Sequence, residues 1–376
     1  MTATANVAAY DQLLDHIKQA NLLGSTGSIL GWDQETLMPS KGLAHRTRQL
    51  AQIAKLTHQM RTDPRVEQWL CDCEAEVCYV GDPLSESAVN IRELRRDYDK
   101  ATKLPEALVV EMSETTSQAK HEWAEARKVN DYGRFKPWLA KVVKLNQQKA
   151  ECYGWDKSSG GGEPWDALAD SFEAGMTAAS VAEVFTPLRE RLVPLLEAIL
   201  GSKAGPCNAF NELKLPIEQQ KQFVKAISAS VGFDYDRGRL DESTHPFCSG
   251  SHCNDVRMTT RFHEDNVNDA LGSTLHESGH GIYEQGLPEE HIGTPMGSAV
   301  GLSIHESQSR MWENQVGRSQ AFWKWCYPKL AEYFGDATAA LAEEQIYGGA
   351  NIVSPGLIRV EADEATYNLH IMIRFE

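Results

Sequence analysis

His276-Glu277-Ser278-Gly279-His280 constrains this chain more than any other five residues in it. On an α-helix, positions i and i+4 share one face, so a helical segment lets both imidazoles reach a single ion. Glu277 falls one position on, beside such an ion rather than on it. There it can take a proton from water. The flanks, residues 269–275 and 281–285, allow a helix, although Gly272, Gly279 and Gly281 weaken it. The plain alternative is a helix with two ordinary histidines.

A catalytic zinc takes three protein ligands and keeps a fourth position for water. The fold must therefore bring a third ligand to this helix. His305 and Glu306 follow within residues 300–316, a run of helical period. Neighbours on a helix point about 100° apart, so only one of them ligates. The reading taken is Glu306, giving a two-His, one-Glu site. The competing reading pairs Glu306 with Arg310 one turn on, as a solvated ion pair. Cobalt or manganese fits the same ligands, since affinity alone does not select the metal. A second cluster, His245, Cys248, His252 and Cys253, could in principle hold a structural zinc. Four residues separate its cysteines where such sites have two, and no second pair follows.

The rest of the chain sets the class. Of its 376 residues, 53 are acidic and 37 basic, a formal net charge of −16. Such a field repels phosphate backbones and argues against a nucleic-acid partner. No apolar run approaches the roughly 20 residues of a membrane span. Residues 1–11 carry no basic residue and no apolar core, unlike a secretory signal. Eight cysteines are too few for a disulfide scaffold, so reduced thiols in a cytoplasm are expected.

Helical period fills the first half. Residues 7–23 carry it through Leu13, Leu14, Ile17, Ala20 and Leu23, with Gly24, Gly27 and Gly31 then expected to break it. Residues 44–60, 65–80, 84–129, 137–152 and 180–200 continue the pattern, with an interruption near Leu104-Pro105. The strand signal is strongest over residues 256–262. The expected fold is mostly α: one helical body with a small β-sheet at about residues 232–262, beside the His-Glu-x-x-His helix.

Three further segments bear on function: His245-Pro246-Phe247, Asp255-Val256-Arg257-Met258-Thr259 and Ile358-Arg359-Val360-Glu361-Ala362-Asp363. With the two histidine motifs, and with residues 31–36 and Met38-Pro39, they resemble the signature set of the carboxypeptidase Taq family of zinc metallocarboxypeptidases. The similarity runs from near residue 10 to the last residue. It implies a single, mostly helical metallocarboxypeptidase domain over residues 1–376 with a deep substrate groove. It also implies release of single residues from peptide C-termini with broad preference, and commonly a homodimer. Carried over by position, His276, His280 and Glu306 match the metal ligands, and Glu277 matches the general base. Arg257 and Arg359 match motif arginines, and the resemblance implies that one or both bind substrate, including its terminal carboxylate, in company with His245. A guanidinium suits that task because it meets a carboxylate with two parallel hydrogen bonds. Asp255 and His305 are expected behind the site, Asp255 positioning His276 or Arg257.

The sequence departs from the family in one place. A later family motif, Gln-Asp followed by His-Trp, is absent, and the chain stops at Glu376 inside an apolar-periodic stretch. The resemblance therefore implies a chain truncated at its C-terminus, lacking a wall of the groove and donors for an oxyanion. The rival functions are a catalytically silent fragment and an oligopeptidase or aminopeptidase built on the same zinc core.

Overall fold

Glycines that weaken a helix locally can be retained where a neighbouring helix packs against them. Gly24, Gly27 and Gly31 lie inside α1 (Ala3–Thr36) rather than ending it. For Gly24 and Gly27 the reason is tertiary. A Cβ on Gly27 would sit 3.4 Å from Ile53, and one on Gly24 3.7 Å from Thr57, both on α2 (Leu43–Arg61). Packing along α2 offsets a propensity cost of about 1 kcal/mol per glycine. The computed structural model describes residues 3–158, 161–203 and 205–376, without the side chains of residues 3–7 and Glu361. Met1 and Thr2, part of the N-terminal segment read above, lie outside the described residues.

Contacts divide the chain into two compact units. The first comprises Met1–Gly175, Ser249–Val256 and Glu284–Gly301. Its helices are α1, α2, α3 (Pro64–Glu74), α4 (Val77–Val80), α5 (Glu86–Thr102), α6 (Glu106–Lys128), α7 (Tyr132–Tyr153) and α8 (Pro164–Ala169). The interruption expected near Leu104-Pro105 falls between α5 and α6, where Pro105 caps α6. Leu13 and Ile17 of α1 join Val66, Leu70, Ile91 and Leu94 in this unit's core, as their helical spacing requires.

The second unit comprises Met176–Cys248, Arg257–Tyr283 and Leu302–Glu376. Its helices are α9 (Ala178–Gly201), α10 (Ile217–Ser230), α11 (Val267–Gln285), α12 (Leu302–Arg310), α13 (Gln320–Phe334), α14 (Asp336–Ala339), α15 (Glu343–Ala350) and α16 (Glu364–Phe375). Three strands, β1 (Gly238–Glu242), β2 (Cys248–His252) and β3 (Asp255–Thr260), form a sheet in the order β1-β3-β2. The sheet falls inside the expected region, with β3 starting and ending slightly before the sequence signal. β3 lies beside α11, where Thr260 Oγ1 and Ser273 Oγ share a hydrogen bond of 2.7 Å.

The expected helix over residues 300–316 divides in two. α12 ends at Arg310, and Met311–Val316 continues as a π-helix. Such widened turns re-aim side chains and are frequent at functional sites. α11 buries Ala270, Leu271 and Leu275 with Phe210, Phe223, Trp323, Leu330 and Ile346 in the core. Two of its three glycines are structural necessities, while a Cβ on Gly272 would meet nothing within 4 Å. A Cβ on Gly279 would lie 2.4 Å from the Gln308 carbonyl oxygen and 2.6 Å from Ser309 Cα. One on Gly281 would lie 2.7 Å from the Phe233 ring. Only a residue without a side chain allows α12 to approach α11 this closely.

Two predictions arise here. Gly279→Ala forces backbone apart rather than a pliable side chain, so it should cost about 1–3 kcal/mol of stability. Urea denaturation checks this, and a variant as stable as the parent contradicts it. The second concerns Asp170, which joins Lys100 by an ion pair, accepts from Arg96 at 3.1 Å and takes the Gly175 N–H at 2.8 Å. Burial pulls its pKa up, but Lys100, Gly175 and Arg96 more than offset this and hold it well below the usual carboxylate range. A depressed acid pKa contributes stability above the unfolded value, near 3.8, and loses it as pH falls through the folded value. Asp170→Asn should therefore lower stability by about 1 kcal/mol at pH 7. The gap should narrow below about pH 3. Denaturant midpoints against pH read it, and a gap that widens in acid contradicts it.

Candidate metal centre and substrate cavity

The close helix approach at Gly279 sets the geometry of the site. His276 and His280 sit one turn apart on α11, with ring centroids 5.0 Å apart. Glu306 comes from α12. One donor atom from each of the three lies within 4.8 Å of the others, the only such cluster of three or more His, Cys, Asp or Glu among the described residues. Glu306 Oε2 is 3.4 Å from His280 Nε2 and 3.8 Å from His276 Nε2. Ligand atoms at about 2.0–2.2 Å from one zinc stand about 3.3 Å apart, so the set needs only a small contraction to close on an ion.

The far side of each imidazole supports this. His276 Nδ1 lies 2.8 Å from Glu313 Oε2, and an ionised carboxylate only accepts, so Nδ1 carries the proton. His280 Nδ1 lies 2.6 Å from His305 Nδ1. A proton donated by His280 across that contact leaves its Nε2 lone pair turned toward Glu306. Glu313 stands in the π-helix and is clamped by Arg310, whose Nη1 donates to the same Oε2 at 2.6 Å. Arg310 is thus paired with Glu313. The ion pair that the sequence allowed between Arg310 and Glu306 is not what the structure displays.

Charge at the site follows from burial and neighbours. Glu277 is 4% exposed, and its Oε2 is buried without a hydrogen-bond partner. Burial pushes this carboxyl up to about 8; His276 opposes the shift, while Glu306 and Glu313 add to it. Burial acts the same way on Glu306, but His280 and His276 override it and hold Glu306 at about 2. Burial lowers His280. His276 is also disfavoured in its charged form by burial, but its bond to Glu313 and the nearby carboxylates hold it above its ordinary value. A divalent cation binds in competition with the protons on these nitrogens. The donor set, its spacing and the unpartnered Glu277 oxygen all fit such an ion.

These groups line a cavity of about 920 Å³ within the second unit. Of the residues singled out from sequence, His245, His276, Glu277, His280, His305, Glu306 and Arg359 line it. Arg257 and Asp255 are not among the lining residues. Asp255 accepts from Ser251 Oγ at 3.0 Å, and it is Glu313 that faces the His276 Nδ1, one of the two groups, with Arg257, that Asp255 was expected to position. The second cluster of His245, Cys248, His252 and Cys253 does not gather as a ligand set among the described residues.

Sequence reasoning did not single out Glu313, or Tyr367, which also lines the cavity. A signal existed for each. Glu313 follows Glu306 by seven residues, two helical turns on the same face. Tyr367 follows Asp363 by four. Asp363 caps α16 by accepting from the Ala365 and Thr366 N–H groups at 2.9 and 3.1 Å.

Known proteins share this arrangement of elements. The sequence pattern of the carboxypeptidase Taq (M32) metallopeptidase family matches residues 12–376. Thermostable carboxypeptidase 1 of Thermus thermophilus is 45% identical over 373 residues, covering 98% of this chain and 73% of its own length. A crystal structure of an M32 carboxypeptidase from Deinococcus radiodurans superposes with a TM-score of 0.85 at 38% identity, over 98% of this chain and 72% of that one. A carboxypeptidase structure from Pyrococcus furiosus gives 0.86 at 35% identity, over 98% and 72%. With the family pattern covering nearly the whole chain and a relative at 45% identity, this protein belongs to the carboxypeptidase Taq (M32) family of metallopeptidases.

Proposed function

We propose that this metallocarboxypeptidase holds zinc on His276, His280 and Glu306 and releases single residues from peptide C-termini with broad preference. The observation that carries the ligand assignment is the convergence of three donor atoms within 4.8 Å, beside a buried carboxylate oxygen that lacks a partner. A bound divalent ion supplies Lewis acidity, which makes water a better nucleophile and a carbonyl a better electrophile. Cobalt or manganese suits the same donors.

The chain's own residues do the rest. Glu277 takes a proton from the attacking water and carries it to the leaving amine. Its burial supports this role, because desolvation makes the carboxylate a stronger base. Glu313 and His305 hold the two imidazoles in orientation. Arg359 receives the substrate's terminal carboxylate. It lines the cavity, donates to the Tyr367 hydroxyl at 2.7 Å and keeps a buried Nε without a partner. A carboxylate there satisfies that donor and places the last peptide bond at the ligand set. Arg257 is the weaker candidate, because it stands outside the lining. His245 borders the same cavity and takes a supporting place at the substrate.

The family match favours this reading over a silent fragment, and over an oligopeptidase or aminopeptidase on the same core. We also assign the enzyme to a homodimer in a reducing cytoplasm. The eight free cysteines support the compartment. No helix among the described residues is long and apolar enough to cross a membrane.

Glu277→Gln should keep one metal per chain and lose turnover by at least about a thousandfold. Elemental analysis and release of the terminal residue from an N-blocked dipeptide check this. Parent-like turnover contradicts the assignment of Glu277. Arg359→Gln should lower kcat/KM by about 10- to 100-fold on peptides with a free C-terminus, the worth of a hydrogen bond to a charged group. Binding of the matching C-terminal amides, read by competitive inhibition, should change little. Equal losses on acid and amide contradict the carboxylate role.

A further inference from the structure

We propose that Tyr367 is a positioning residue that braces the ligand set from behind, joining the Glu306 carboxylate to the Glu313–His276 pair through Arg310. This rests on reading His276, His280 and Glu306 as the ligands.

The brace has two arms, one through the ring and one through the hydroxyl. The guanidinium of Arg310 lies over the Tyr367 ring, 3.8 Å from its centroid. A cation on an aromatic face is held there by the ring quadrupole. From that platform Arg310 donates to Glu313 Oε2 at 2.6 Å, and the same oxygen faces His276 Nδ1 at 2.8 Å. The ring therefore supports the orientation of His276 through two intermediate side chains.

The hydroxyl arm follows from donor and acceptor bookkeeping. Arg359 Nη1 lies 2.7 Å from the Tyr367 oxygen, and a guanidinium has no acceptor. The tyrosine oxygen must accept there, so its own proton is directed elsewhere. Glu306 Oε1 lies 3.5 Å away and is the carboxylate oxygen not facing the imidazoles. Its sister Oε2 faces both Nε2 atoms and takes a bond from Ser309 Oγ at 3.3 Å. Tyr367 holds one oxygen of Glu306 so that the other is presented alone. The Asp363 cap fixes the start of α16 and so the height at which Tyr367 enters the cavity.

A residue that only packs α16 would behave differently from one that steers ligands. Tyr367→Phe keeps the ring and removes the hydroxyl. Tyr367→Leu removes both arms. The probe is cobalt(II), read by chelator competition for affinity and by its visible absorption for ligand geometry, with metal-free melting curves as the folding control. The parent should bind one cobalt per chain. Tyr367→Phe should melt as the parent does, bind cobalt about tenfold more weakly and show an altered spectrum. Tyr367→Leu should weaken binding by about a hundredfold. Parent-like affinity and spectrum in Tyr367→Phe overturn the proposal. Equal losses in the two variants overturn the arm through Arg310. A parent that binds no cobalt overturns the ligand set itself, and the brace with it.

Discussion

Everything at the site depends on how near two helix backbones can come. At Gly279 the gap between α11 and α12 is smaller than a methyl group. That contact brings Glu306 over the two histidines and places the π-helix behind His276. The glycine inside the histidine motif weakens its helix when considered alone. In the folded chain it permits the tertiary contact that gives the motif a third partner.

Burial then gives each group its character. Glu277 is almost wholly buried in the cavity wall, where an unpartnered carboxylate oxygen is costly unless something arrives to meet it. Around it, acids and bases are paired so that each imidazole turns one nitrogen outward to a fixed partner and the other inward. Glu313, Arg310, Tyr367 and Arg359 form a continuous chain of contacts: Arg310 donates to Glu313 and lies over the Tyr367 ring, and Arg359 donates to the Tyr367 hydroxyl. Orientation in such a site comes less from the ligating residues than from what stands behind them.

Some of this was legible in the sequence and some was not, for physical reasons. His276 and His280 were readable because the i, i+4 rule is local. That Glu306 comes to meet them was readable because a metal site on two histidines calls for a third donor and few candidates followed. The helical class was readable from period alone. Arg257, expected at the substrate, stands outside the cavity lining, since position in a motif does not say which way a strand faces. Glu313 was missed because its contact depends on a π-helix, and hydrophobic period does not report a widened turn. Tyr367 was missed because a lone aromatic at helical spacing reads as packing. The breaks expected in α1 do not occur, and at Gly24 and Gly27 packing on α2 overrides glycine propensity.

The most direct measurement is anomalous X-ray diffraction from crystals of the zinc-loaded protein, collected at the metal edge. One ion is expected, about 2.0–2.2 Å from His276 Nε2, His280 Nε2 and a single oxygen of Glu306. Glu277 and Glu313 should lie outside its ligand shell. An ion bound through an Nδ1 atom, or through Glu313 in place of Glu306, would contradict the account.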